Sequence, residues 1–491
     1  MMQYDDVSAL IEARKEFCAS LVDGALARIG ERQELNAFVE VFAGEARADA
    51  AACDARIGEG SARLLEGMLI GIKDNICMRG HEATAASRIL EGHRAVYDAT
   101  VVSRLRDAGA ILAGRCNMDE FAMGSSGETS VYGPVLHPFL DGYVPGGSSS
   151  GSASAVAAGL LHAALGSDTG GSVRQPAAYT GTVGLKPTWG RVSRSGLIAF
   201  ASSFDQIGPI TSNVRDNARV LAVIAGIDAR DATTADIEVP DFLASTSRGV
   251  AGMRIGIPIE FLGGALPQEV RAGVRRIAAA LEKKGAVLAE ISLPLTPVVF
   301  PAYFIMANAE ATSNLARYDG VRLGRPGTET QQADGNDPAS LLAERYGASR
   351  REGFGREVRR RILLGMELLI EGEEADWYER ARRVRRRVRD EYDAAFTNVD
   401  LLLTPVTAGP PFRFGERLEH PLRMYLTDMF NTSANLTGLP AISVPAGNDD
   451  AGLPFAVQFI AGAFREDQLY AAAGAVENIM TSSRNPDRGA G

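Results

Sequence analysis

Apolar positions recur along the chain with two different periods. Segments 45–57, 215–224, 269–284 and 467–479 space them three and four apart, which predicts helices that each bury one face. Between these lie the short apolar runs 38–42, 68–72, 110–113, 286–291, 401–403 and 455–460, which read as buried strands. Strands alternating with helices predict an α/β fold with its sheet covered on both faces. No internal repeat interrupts the alternation.

Some stretches break the pattern. Residues 142–196 are crowded with Gly, Ser and Thr yet carry helical and apolar pieces, so they are not a flexible linker. Residues 324–349 are mostly polar with Gly and Pro punctuation, which predicts an exposed loop between helices, and 482–491 read as a flexible tail. A basic run, Arg380, Arg382, Arg383, Arg385, Arg386, Arg387 and Arg389, follows Glu373, Glu374 and Asp376 in a helical pattern. It predicts a solvated helix face whose arginines pair with acidic neighbours, the competing reading being contact with RNA or a partner.

Composition narrows the class. Of 491 residues, 46% are hydrophobic and 23% charged, which excludes disordered, collagen-like and membrane-spanning chains. The 51 basic residues against 61 acidic ones leave a net charge of −10, the wrong sign for a broad grip on phosphate backbones. Any nucleic acid is therefore expected on another polypeptide. The N-terminus is acidic (Asp5, Asp6) where a signal peptide is basic, and the apolar run 153–166 is too short and too polar to span a bilayer. The cysteines Cys18, Cys53, Cys77 and Cys116 form no CxxC pair, and Cys77 with His81 is too small a ligand set for zinc. Neither a metal site nor a disulfide framework is expected, and a reducing cytoplasm fits.

The candidate chemistry lies elsewhere. None of the five histidines, His81, His93, His137, His162 and His420, has a setting that suggests a general base. Gly147-Ser148-Ser149-Ser150-Gly151 matches a nucleophile elbow literally, but no strand clearly precedes it and its histidine is missing. The stronger signal is a pair of serine-glycine clusters, 146–152 and 166–172, joined by an apolar segment able to form a helix and then a strand. Glycines in the second cluster let consecutive N–H groups point into one cavity beside a nucleophilic Ser172. A base is offered by Lys73, directly after the run 68–72 and so at the end of a buried strand. Desolvation penalises an ammonium, and only the neutral amine accepts a proton.

Lys73, the 146–152 cluster and Gly-Ser-Asp-Thr-Gly-Gly-Ser-Val-Arg-Gln-Pro at 166–176 together resemble the amidase signature family. The resemblance implies a triad of Lys73, Ser148 on a cis peptide and the nucleophile Ser172, with Ser149 in support. It implies an oxyanion hole from the N–H groups of Thr169, Gly170, Gly171 and Ser172. The fold it implies is a large twisted mixed β-sheet with helices on both faces, one domain over 1–481. Ser150 stands where the family motif has glycine.

Longer segments, 117–126, 184–209, 309–322 and 352–362, resemble the branch of that family that hydrolyses glutamine for tRNA-dependent amidotransferases. That resemblance places glutamine on Tyr303, on Arg361 for the α-carboxylate and on Asp428 for the α-ammonium. It implies a cytoplasmic heterotrimer with amidotransferase subunits B and C, in which the B subunit holds Glu-tRNA(Gln), ATP and Mg²⁺. No Gly-x-x-x-x-Gly-Lys-Ser/Thr loop occurs here, so no cofactor is expected in this chain. The alternatives are a stand-alone hydrolase of a small amide with the same triad and a non-catalytic scaffold that kept the fold.

Overall fold

The short apolar runs pair edge to edge into one mixed sheet. In the computed structural model, which describes residues 3–13, 17–264, 266–328, 337–369, 376–449 and 451–484, eleven strands form it. They are β1 Phe38–Val41, β2 Leu69–Lys73, β3 Ile111–Cys116, β4 Ala163–Asp168, β5 Val183–Lys186, β6 Gln206–Thr211, β7 Arg254–Pro258, β8 Val287–Ile291, β9 Leu401–Pro405, β10 Ala441–Asn448 and β11 Pro454–Ala461. Their order is β1-β3-β2-β4-β6-β5-β10-β11-β9-β7-β8. β2 runs parallel to both β3 and β4, β7 to β8 and β9, and the remaining pairs are antiparallel.

The two-residue period of a strand sends alternate side chains to opposite faces, and at β2, β3 and β4 the two faces join separate clusters. Leu69, Ile111, Ala113 and Ala164 join one cluster with Val22, Ala46 and Ala153, from the helices Cys18–Glu31, Ala43–Glu59 and Ser150–Ala157. Ile70, Ile72, Leu112, Ala163 and Leu165 join the other, with helices Thr100–Asp107, Val214–Ile224, Thr296–Leu315 and Glu466–Arg484. Burial on both faces is why these strands read as continuous apolar runs rather than alternating ones.

The structure corrects the expected loop at 324–349. Pro338–Gly353 is a helix, started by Asp337, whose side chain accepts from Ala339 N at 3.3 Å and Ser340 N at 3.1 Å, with Pro338 in its first turn. An Asp cap before Pro is a start signal that outweighs the polar composition. Residues 329–336 lie outside the described residues. The C-terminal helix continues to Arg484, past the boundary expected at 482, and 485–491 lie outside the described residues.

The basic run lies on the helix Trp377–Ala395. Arg382 pairs with Glu379 at 2.6 Å, Arg383 with Asp376 at 2.9 Å, Arg386 with Asp390 at 3.0 Å and Arg389 with Asp393 at 2.9 Å. Arg385 instead turns inward and donates to Leu436 O at 2.8 Å. No described helix is long and apolar enough to cross a membrane.

Candidate active site

Parallel pairing brings the catalytic candidates to the C-terminal ends of two neighbouring interior strands. β2 and β4 are in register at Ile70↔Ala163 and Ile72↔Leu165, so their C-terminal ends coincide. Lys73 ends β2, and the turn 169–172 leaves β4 beside it. Ser148 and Ser149 come to the same end because they precede the helix Ser150–Ala157, which packs on β4 before the chain enters that strand.

Lys73 is completely buried. Its Nζ lies 2.8 Å from Ser148 Oγ, 2.9 Å from Ser149 Oγ, 2.9 Å from Ser167 Oγ and 3.2 Å from Ser167 O. Burial pulls its pKa down to about 7, outweighing the opposing fields of Asp119, Asp168 and Asp205. A neutral amine would offer two N–H groups to these oxygens and a lone pair to a serine hydroxyl.

The serine segment is held from both sides. The Gly147–Ser148 peptide is cis. Gln175 Oε1 accepts from Gly147 N at 2.8 Å, while Gln175 Nε2 donates to Ser125 O at 2.9 Å. Ser149 N donates to Ser172 O at 3.1 Å, which ties this segment to the nucleophile turn. Ser172 is 6% exposed, whereas Ser148 and Ser149 are fully enclosed, so the outermost hydroxyl of the three belongs to Ser172.

Asp168 shapes the turn itself. It accepts Gly171 N at 2.8 Å and Val173 N at 3.1 Å, and Arg174 grips both its oxygens at 3.0 Å. Burial raises its pKa, but the Arg174 guanidinium outweighs burial and holds the carboxyl well below its usual range. Of the four amides expected at the oxyanion, Gly171's is thus committed to Asp168, because the turn folds back over the carboxylate that ends β4. Thr169 sends its hydroxyl to Asp205 at 2.6 Å, and a Cβ on Gly170 would overlap the Tyr303 hydroxyl.

The expected glutamine residues converge from three elements. Tyr303 lies on the helix Thr296–Leu315, Arg361 on Arg356–Leu369 and Asp428 in the turn Leu426–Asp428. Arg361 is buried, with its Nε 2.8 Å from Glu357 Oε1 and its guanidinium 4.8 Å from the Tyr425 ring centroid. Ser125 donates a hydrogen bond to Asp428 Oδ2, while Asp428 Oδ1 is enclosed without a partner among the described residues. Burial pushes the pKa of Asp428 up to about 7, against the Ser125 bond and the Arg174 and Arg361 charges. Ser125, Arg361 and Tyr425 line a cavity of about 170 Å³.

Several contributors were not singled out from sequence. Ser167 contacts Lys73 twice, and Asn75 Nδ2 donates to Ser167 Oγ at 2.9 Å. Asp119, Gln175, Asn431, Asn435 and Gln458 brace the turns; Asp119 and Gln175 stood inside the matched segments 117–126 and 166–176 without an assigned role, and the only signal of the other three was a polar residue inside an otherwise buried segment. His162 and His137 are structural: His162 Nδ1 accepts Leu69 N at 3.0 Å, and His137 Nε2 meets Tyr179 O at 2.9 Å.

A family model described as Amidase matches residues 20–470. The chain belongs to the amidase family. Two curated relatives are both named as the A subunit of a glutamyl-tRNA(Gln) amidotransferase. The one from Salinibacter ruber is 47% identical over 95% of this chain and 97% of its own length. The one from Halorhodospira halophila is 48% identical over 94% of each chain. Among solved structures, the protein of the same name from Thermotoga maritima superposes with a TM-score of 0.75 at 39% identity, covering 95% of this chain and 92% of that one. The peptide amidase of Stenotrophomonas maltophilia gives 0.79 at 31%, covering 98% and 97%. Against the amidase motif, the departing Ser150 begins a helix, with its buried hydroxyl lacking a partner among the described residues.

Proposed function

We propose that this chain is the glutamine-hydrolysing component of a glutamyl-tRNA(Gln) amidotransferase. The observation that carries the reading is the pairing of two kinds of site. A neutral-capable lysine is bonded to Ser148, and Gln175 links that serine segment to Ser125, which lines a cavity with the buried Arg361 and hydrogen-bonds Asp428, whose Oδ1 has no partner among the described residues. A free amino acid carries the complementary charges on its α-carbon. The names of the relatives supply the tRNA part of the reading.

In this reading Ser172 Oγ attacks the side-chain amide carbon of glutamine, Ser148 passes the proton to Lys73, and the N–H groups of Thr169, Gly170 and Ser172 meet the developing oxyanion. The proton returns to the leaving nitrogen, so ammonia departs and a glutamyl ester remains on Ser172. Water hydrolyses that ester to glutamate by the reverse relay. Tyr303, whose hydroxyl lies against Gly170 of the nucleophile turn, is assigned to the glutamine in this reading. The ammonia then passes to the B subunit, which holds Glu-tRNA(Gln) and carries out the ATP- and Mg²⁺-dependent activation, with the C subunit completing the cytoplasmic assembly.

The deciding experiment measures ammonia release from glutamine by this chain alone and with the B and C subunits, with and without Glu-tRNA(Gln) and ATP, beside Ser172→Ala. Partner-dependent glutaminase activity coupled to Gln-tRNA(Gln) formation, lost in Ser172→Ala, is the expected result. Partner-independent hydrolysis of assorted amides with no response to tRNA would instead make the chain a free-standing amidase.

A further inference from the structure

The turn Asp119–Ala122 joins the two halves of the site, and its second carboxylate has no part in the mechanism above. Glu120 is 4% exposed. It accepts Gly355 N at 2.9 Å on Oε2 and 3.1 Å on Oε1, and Ser87 Oγ makes a short bond to Oε1. The Ser87 hydroxyl also lies 3.2 Å from Gly353 O. Gly353 ends the helix Pro338–Gly353, and Gly355 immediately precedes Arg356–Leu369. Glu120 therefore clamps the elbow from which the Arg361 helix departs. A Cβ on Gly355 would overlap Glu120 Oε2, so the backbone there approaches the carboxylate as closely as only glycine permits. The Phe121 ring packs on Phe354 at 5.7 Å between centroids and reinforces the same elbow.

Asp119, one residue earlier, faces the serine segment. Its carboxylate accepts Gly127 N at 2.9 Å and Thr129 Oγ1 at 2.8 Å, and its N–H donates to Ser148 O at 3.2 Å. Two neighbouring residues of one turn thus hold the serine segment on one side, through the Asp119 amide, and the Arg361 helix on the other, through the Glu120 carboxylate.

We propose that Glu120 is a positioning residue that sets the helix Arg356–Leu369 against the serine segment, so that Arg361 meets the α-carboxylate of glutamine while the amide reaches Ser172. This deepens, and rests on, the assignment of Arg361 to that carboxylate. Glu120 touches no substrate atom in this scheme. It acts only through the Gly355 amide and the helix that follows.

The test is steady-state glutamine hydrolysis by the full chain reconstituted with the B and C subunits. The variants are Glu120→Ala, Glu120→Gln, Gly355→Ala, Arg361→Ala and the double variant Glu120→Ala/Arg361→Ala, each checked for folding by thermal melting. Glu120→Ala and Gly355→Ala should raise KM about tenfold while kcat falls no more than about twofold, with Glu120→Gln, which keeps one acceptor, in between. Adding Glu120→Ala to Arg361→Ala should raise KM no further, because a brace acting through Arg361 has nothing left to position. A fall in kcat at unchanged KM, or full additivity in the double variant, overturns the proposal. If Glu120→Ala fails to fold, Gly355→Ala disturbs the same contact from the other side and decides alone. If Arg361→Ala leaves KM unchanged, the carboxylate assignment itself fails and takes this proposal with it. An altered KM in Arg361→Ala beside unchanged Glu120 and Gly355 variants sinks the positioning role only.

Discussion

Lowering the pH protonates Lys73, and the structure says where that switches the site off. Burial takes this lysine from the ordinary 10.5 to about 7, a shift of roughly 5 kcal/mol at 1.36 kcal/mol per unit. At pH 7 an unperturbed lysine is neutral in only about one molecule in 3,000, whereas Lys73 is neutral in about half. The assay is kcat/KM for a small primary amide without an α-ammonium, so that Asp428, which titrates in the same range, does not enter the profile. The rate should climb about tenfold per unit at acid pH and level off above a midpoint near 7. Asp119→Asn should move that midpoint to lower pH, because it removes the largest of the carboxylate fields that raise the lysine. Lys73→Met should flatten the profile with a loss of about 10²–10⁴-fold. Stability carries the same sign: between about 7 and 10.5 the unfolded chain binds a proton that folded Lys73 does not, so this group's contribution rises with pH across that window. A midpoint at 9 or above, or a Lys73→Met enzyme with the wild-type profile, would refute the neutral-amine argument.

Three further outcomes follow from the contacts. Ser149→Ala removes one of four partners of Lys73 and should cost about tenfold in kcat, well short of the loss in Ser148→Ala or Ser172→Ala, as single-turnover acylation would register. Arg361→Ala and Asp428→Asn should each raise KM for glutamine by roughly 10–100-fold, the worth of a charge-assisted bond, and a KM within twofold of wild type in both would discard the glutamine pocket. Arg174→Met strands Asp168 as a buried carboxylate without its cation and should lower unfolding stability by about 3–5 kcal/mol in urea titration.

How far such features can be read from sequence depends on the range of the forces that make them. β2 and β9 were visible because both faces of each are apolar and the runs are uninterrupted. β6 and β10 were not, since Gly208, Pro209 and Pro445 punctuate them as a turn would. They are strands because of their neighbours: a Cβ on Gly208 would overlap Leu185 O, and Pro445 sits where the β10–β11 register shifts. In the site, Lys73, Ser148 and Ser172 stand in dense local motifs and were legible. The brace around them was not, because its partners are remote. Arg174 reaches Gln458 Oε1 at 2.6 Å and Asn435 Oδ1 at 2.6 Å, across 284 and 261 positions of chain. The commitment of the Gly171 amide to Asp168 was also hidden, since it depends on the turn's backbone conformation, φ 134° at Gly171.

The arrangement also bears on how burial keeps the pKa of this lysine down at about 7 although three carboxylates act to raise it. The hydrogen bonds found for Lys73 go to serine oxygens. Each carboxylate is occupied elsewhere: Asp119 by Gly127 N and Thr129, Asp168 by Gly171 N, Val173 N and Arg174, and Asp205 by Phe200 N, Ala201 N and the Thr169 hydroxyl. Donors fixed by the backbone stabilise the anions where they stand, so none gains by turning toward the amine. Were one of these donor sets lost, the freed carboxylate could form a direct ion pair with Lys73, and the lysine would hold its proton at neutral pH. The amides of Gly127 and Gly171 are among the donors that hold Asp119 and Asp168 where they stand.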